Sequence, residues 1–254
     1  MARRLLKQLF YGIFYAAVIT GAVYGVFLLS APAPTCTDQI RNQDEEEIDC
    51  GGPCGTCAVR HLSSLEAVGV SVVSVRDTAA ALIRVRNVNP AYGARDFMYE
   101  LVFRDENNGE MARVAEHSFI YAGEQKEFVA IIPSLDARRV RGSPEMSFKN
   151  PIWRSKEEFP RPAYQLRDQR TETLSSSETI ASGIFVNTNS FLLPVVEIGA
   201  ALYDANGALR GLSETVIRDI RPFEERFFKV IVPALPGAPS VARTEFVVEI
   251  YPSR

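Results

Sequence analysis

At 254 residues, 46% hydrophobic and 10% aromatic, the chain carries enough apolar surface for a real core, which excludes global disorder, and enough length for two modules. Its net charge is −3, and three of its cations, Arg3, Arg4 and Lys7, precede a long apolar segment, so the remainder carries −6. A mildly acidic surface offers phosphate backbones no basic footprint, so nucleic acid is set aside as a partner.

From Gln8 to Thr35 there is no charged side chain, and Phe10–Ser30 forms a predominantly apolar run of 21 residues. As a helix that run crosses roughly 30 Å of hydrocarbon, so residues 10–30 are expected to be a transmembrane anchor. Cations before it and Asp38, Asp44, Glu45, Glu46 and Glu47 after it place residues 1–9 in the cytoplasm and the rest outside. Gly21 and Gly25 match a helix-pairing spacing, although lipid contact alone also suits them. A competing reading is a cleaved signal peptide, with Ala31-Pro32-Ala33 as the cleavage site. Two features oppose it: the apolar run exceeds the roughly 7 to 15 residues of a usual signal core, and Pro34 would be a poor mature terminus.

Residues 31–58 form a cysteine-rich stalk that holds all four cysteines, Cys36, Cys50, Cys54 and Cys57. An even count in an outward-facing stretch too short for its own core predicts two disulfides, and the sequence leaves three pairings open. Four thiolates could instead hold zinc, but a second CxxC pair is missing; a thioredoxin-like role for Cys54 and Cys57 lacks its strand-helix context. Asp38, Asn42, Glu45 and Asp49 could supply hard oxygen ligands to calcium within the disulfide-closed loop; the plain alternative is a solvated acidic turn. No other cofactor is suggested.

This stretch resembles a cysteine-rich motif of secreted and surface proteins, CxDxxxNxxExxxDCGGxCxxC, with Gln39 where a glycine often stands. The resemblance implies a surface location.

Laying residues 81–133 against 181–233 exposes a repeat with an offset near 100. Val85-Arg86-Asn87-Val88-Asn89 lies opposite Phe185-Val186-Asn187-Thr188-Asn189, and Phe128–Pro133 opposite Phe228–Pro233. The periodicity is two: Phe97, Tyr99, Leu101 and Phe103 share one face, as do Val196, Ile198, Ala200 and Leu202, and Phe246, Val248 and Ile250. Asn108-Gly109 and Asn206-Gly207 supply the positive-φ residues of hairpin turns. The expected fold is all-β: two tandem immunoglobulin-like antiparallel β-sandwiches, 59–150 and 163–254, after one N-terminal transmembrane helix. Residues 151–162, with Pro151, Pro160 and Pro162, are expected to link them. Trp153 is expected to pack at a strand end or between domains rather than stand exposed.

The run Leu202-Tyr203-Asp204-Ala205-Asn206-Gly207, followed by Pro222-Phe223-Glu224 and Phe227-Phe228, resembles the FxLYD family of extracellular sandwich domains. The first copy departs from it, with Phe103-Arg104-Asp105 in place of Leu-Tyr-Asp. The resemblance implies a bacterial or archaeal surface module and brings no catalytic residues.

His61 and His117 are the only histidines, one beside the cysteine segment and one in an expected strand, and the chain has no GxSxG, phosphate loop or HExxH. Carboxylate pairs assembled from distant strands escape such a scan. The functions expected are therefore a membrane-anchored binding or scaffold protein of the cell envelope, whose partners are the membrane and envelope proteins or surface glycans, a calcium-responsive module, or an accessory subunit; an enzyme is not expected.

Overall fold

A computed structural model describes residues 2–30, 35–42, 44–75, 78–175, 178–233 and 241–251. The chain divides into two compact units, Met1–His61 and Leu62–Arg254. The first opens with helix α1, Ala2–Ser30, in which Lys7–Val26 is long and apolar enough to cross a membrane or to serve as a signal sequence. Leu9, Phe10, Ile13, Ile19 and Val23 all stand exposed. The residues named as a cleavage site, 31–34, lie outside the described residues. After them comes a compact loop from Thr35 that ends in a 3-10 turn, Cys57–His61.

The second unit is all-β. Its strands are β1 Glu66–Val75, β2 Thr78–Arg86, β3 Tyr92–Arg104, β4 Glu110–Ile120, β5 Gln125–Pro133 and β6 Glu145–Ser155, then β7 Tyr164–Ser175, β8 Glu178–Asn187, β9 Leu193–Tyr203, β10 Leu209–Ile220, β11 Glu225–Pro233 and β12 Arg243–Ile250. They form four antiparallel three-stranded sheets, β1-β2-β5 with β4-β3-β6, and β7-β8-β11 with β10-β9-β12. The sheet order of the second six strands repeats that of the first.

Each pair of sheets encloses its own core. Phe97, Tyr99, Leu101 and Phe103 point inward from β3 with Ile83, Phe128 and Ile132, and Val196, Ile198, Ala200 and Leu202 do so from β9 with Phe185 and Phe228. The other faces of two sheets meet in a third cluster, where Val73, Ala80, Leu82 and Val129 pack on Ala201, Tyr203, Leu212 and Val247. The sandwiches are thus joined sheet on sheet, the outer face of β1-β2-β5 lying on that of β10-β9-β12. Gly199 makes the approach close: a Cβ there would lie 2.8 Å from Val129 Cγ2.

The expected linker needs correction at its start. Residues 151–155 are the last part of β6, with Trp153 opposite Ala94 and half-buried against the first core. Pro151 is tolerated because β6 is an edge strand with a bulge at this point, where Asn150 takes φ 53° and no ladder N–H is required.

The turn chemistry recurs with the offset read from the sequence. Buried Asn87 donates through Nδ2 to the carbonyls of Tyr92 and Tyr121, while its Oδ1 accepts from Asn89 N and Nδ2. Asn187 donates to Phe191, Ile220 and Arg221 carbonyls and accepts from Asn189 in the same way. Each second asparagine then pins the incoming chain, Asn89 at Ser63 and Asn189 at Ala163. At the β3–β4 and β9–β10 turns, Asp105 and Asp204 cap backbone N–H groups, with Asn108 and Gly207 at positive φ.

Candidate functional site

The cysteine loop is organised by two crossed disulfides, Cys36–Cys54 and Cys50–Cys57, with Cα separations of 5.5 and 5.0 Å. Neither is the short Cys54–Cys57 link that spacing alone allowed. Gly51 is obligatory in this knot: φ is +83° and a Cβ would lie 2.6 Å from Glu46 N. The four oxygen-bearing residues singled out for calcium are gathered here, and all three carboxylates accept hydrogen bonds from the loop itself. Asp38 accepts from Ile40 N at 2.9 Å, Asn42 Nδ2 at 3.0 Å and Thr35 N at 3.2 Å. Those bonds, Asn42 foremost, hold its carboxyl below the usual range. Asp49 accepts from Gln39 N, and buried Glu45 spans Asn42 N and Asp49 N. Asn42 Oδ1 is enclosed and is the one such side-chain atom without a hydrogen-bond partner among the described residues. Glu47 lies beside Cys50 and Cys57, but disulfide sulfurs carry no thiolate to offer a metal.

A second region, invisible in the sequence, lies where the sandwiches join. The joint grades from the apolar cluster into an ionic seam. Lys126 on β5 and Glu249 on β12, 4% and 7% exposed, meet at 2.5 Å. The ammonium also donates to Phe119 O at 2.6 Å and Ser118 Oγ at 3.1 Å, and lies 3.5 Å from the centroid of the Phe119 ring. Burial lowers the Lys126 pKa while Glu249 pulls it back up. Glu249 is directly opposite Glu197 on β9, whose carboxylate accepts from Tyr251 Oη at 2.9 Å and whose pKa burial raises. Glu214 on β10 is pushed up to about 7 by burial and by the charges of Glu197, Glu249 and Glu116.

At the edge of this seam opens a groove of about 340 Å³. Tyr121 and Phe159 stack at 4.5 Å on its first-sandwich side, and Phe191, Leu192, Pro194 and Tyr251 line the second. Arg95 and Glu158 are its charged lining; none of the seam carboxylates reaches it. Phe191 and Leu192 are 50% and 45% exposed. The loop bearing them is tied through Asn187 to the β10–β11 turn, where Phe223 takes φ 58° and is 68% exposed. A bulky aromatic in the left-handed region is a strained choice, and the equivalent position in the first copy is Gly123 at φ +64°.

The histidines are surface groups, His61 3.4 Å from Glu47 and His117 3.0 Å from Asp96. No serine, threonine or cysteine nucleophile is held against either in the described residues. The groove and the seam escaped the sequence because their members lie up to 131 residues apart. One signal was present: Ala79–Val85 reads as an unbroken run of small and apolar residues with only Arg84 between, the mark of a strand buried on both faces.

No family model matches the chain, and no curated protein matches it. Among solved structures, red sea bream transglutaminase is similar over 76% of this chain and 29% of its own, at 15% identity and a TM-score of 0.22. A glycosyl hydrolase family 2 member from Bacteroides cellulosilyticus DSM 14838 is similar over 69% of this chain and 28% of its own, at 9% identity and a TM-score of 0.26. The chain spans less than a third of either protein, and at those scores neither bears on its activity.

Proposed function

We propose that this chain is a membrane-anchored, extracytoplasmic binding or scaffold protein of the cell envelope, without catalysis, with its N-terminus inside and its sandwiches outside. The observation that carries the reading is the joint: two sandwiches locked by an apolar and ionic seam leave an aromatic groove at its edge, whose described lining includes no serine, threonine, cysteine or histidine. The apolar helix, the cations before it and the oxidised cysteines support the location. The FxLYD resemblance of residues 202–207 is in keeping with a surface module. The groove's occupant is a segment of an envelope protein that presents apolar or proline side chains to stacked rings.

The test is cross-linking of the full-length protein in its native membrane, followed by mass spectrometry of attached chains. A reproducible partner that is lost when Phe191→Ala and Leu192→Ala are combined supports the groove; a partner indifferent to that change, or none, removes it.

A second reading, calcium uptake by the cysteine loop, rests on Asn42 Oδ1, an enclosed acceptor without a partner beside the Asp38 carboxylate. Millimolar calcium would then raise the thermal midpoint of the full chain, and Asn42→Ala would abolish the rise. No shift at millimolar calcium removes the reading.

A further inference from the structure

We infer that Lys126 and Glu249 form a self-modification site: their side chains condense to an amide with release of one water, and the new bond ties the first sandwich covalently to the second. The two groups come from different sandwiches, Lys126 from β5 and Glu249 from β12, and 123 residues separate them in the chain. Both are buried, and Nζ lies 2.5 Å from Oε1. Lys149 and Glu100 stand at the same 2.5 Å in the first sandwich, but the Lys149 side chain is 49% exposed and water keeps that pair ionised. In the joint the balance differs. Taking two ions out of water is costly, and a neutral amide in their place carries no such cost. The second copy could not react this way, because Arg226 stands at the position equivalent to Lys126 and a guanidinium does not give up its proton.

The contacts of Nζ prepare the attack. The ammonium donates to Glu249 Oε1, to Phe119 O at 2.6 Å and to Ser118 Oγ at 3.1 Å. Passing the first of these protons to Oε1 leaves an amine whose two N–H groups are held by Phe119 and Ser118, so its lone pair is turned toward the Glu249 carboxyl. Burial favours that transfer, since it lowers the Lys126 pKa against the pull of Glu249. Nζ then bonds to Cδ, the Cδ–Oε1 bond breaks, and Oε1 leaves as water, with the proton it took first and a second one from the nitrogen. Ser118 accepts from Nζ and donates to Oε1 at 3.4 Å, the arrangement of a relay for that second proton. Nothing is oxidised or reduced. A cavity of about 10 Å³ lined by Lys126, Glu249 and Phe119 gives room for about one water. Groups held in contact react as though at about 10⁵ M or more, which offsets the preference of an amide in water for hydrolysis. Only the closed joint brings residues 126 and 249 together, so condensation follows folding: a newly folded chain carries the ion pair and an aged one the amide.

The deciding measurement is the mass of the full-length chain after reduction of its disulfides. Chain aged in the folded state is expected to be lighter than its sequence by one water, and its protease digest to contain a branched peptide that joins Lys126 to Glu249. Newly synthesised chain should start at full mass and lose the water with time. Lys126→Arg keeps the cation and is expected to hold full mass throughout. Ser118→Ala keeps both reacting groups and is expected to slow the loss by about tenfold or more, and Ser118→Thr, which restores the hydroxyl, to recover it. The Lys149 peptide in the same digest should stay unbranched. Full mass after long incubation, a branch at Lys149 instead, loss of water by Lys126→Arg, or a Ser118→Ala rate equal to the parent's each overturns the inference.

Discussion

The two sandwiches agree in their backbone devices and disagree on their surfaces. Asn87 and Asn187 hold equivalent loops, Asp105 and Asp204 close equivalent turns, and Glu124 and Glu224 each accept from the backbone N–H three residues earlier. Yet Lys126 is sealed in the joint on Glu249, while Arg226 at the equivalent position pairs with Glu224 in the same turn at a half-buried site. Gly123 becomes Phe223, and the Arg84–Glu127 pair becomes Ile184 with Phe227. Positions that satisfy backbone groups keep their chemistry because the fold fails without them; positions on the outer faces are free to specialise.

The comparison breaks most sharply at Lys126. Lys126→Met leaves Glu249 buried without its cation and is expected to destabilise the chain by about 3 to 5 kcal/mol in urea unfolding. Lys126→Met combined with Glu249→Leu should recover most of that loss, whereas Arg226→Met, at the open equivalent, should cost less than about 1 kcal/mol. Next come the paired asparagines. Asn87→Ala and Asn187→Ala each orphan buried carbonyls, and each is expected to cost about 2 to 3 kcal/mol. Near-equal losses would show that the two devices are energetically alike; a large loss at one and none at the other would show that the likeness is only geometric.

A smaller effect depends on pH. Glu214, pushed up to about 7 when folded against an ordinary value of 4.5, binds its proton more tightly in the native state. Its contribution is therefore full below pH 4.5 and is lost as pH rises through 7, so the joint loosens toward neutrality. Glu214→Gln should raise the thermal midpoint at pH 7.5 more than at pH 5, and an equal rise at both would refute the titration. The smallest effect is at the turn. Phe223→Gly relieves the left-handed strain and should stabilise by about 1 kcal/mol in urea unfolding, and a loss of stability there would show that the exposed ring is held by contacts that outweigh the strain.

Much of the sandwich architecture could be read in the chain because alternation and turn chemistry are local. Phe97 to Phe103 predicted an inward face, and the asparagine anchors gave the offset of the two copies. The joint could not be read so directly, since Ala80, Leu82 and Ala201 look like ordinary outward positions until a second sheet lies on them. The start of the linker was misplaced because Pro151 reads as a break, although an edge strand at a bulge accommodates it. In the cysteine loop the spacing brings Asp38, Asn42, Glu45 and Asp49 together, but which backbone N–H groups their carboxylates accept from depends on the path of the loop, which the sequence does not show. Disulfide pairing depends on the path of the chain between cysteines, which spacing does not determine.

That pairing governs how the protein can be cut. Because Cys36–Cys54 and Cys50–Cys57 interleave, every peptide bond between Cys36 and Cys57 is spanned by at least one disulfide. A protease that nicks the loop once leaves helix α1 covalently attached to the sandwiches, and separating the two pieces then requires a reductant as well. Two adjacent links, Cys36 to Cys50 and Cys54 to Cys57, would have left the Gly51–Pro53 stretch as a free point of release.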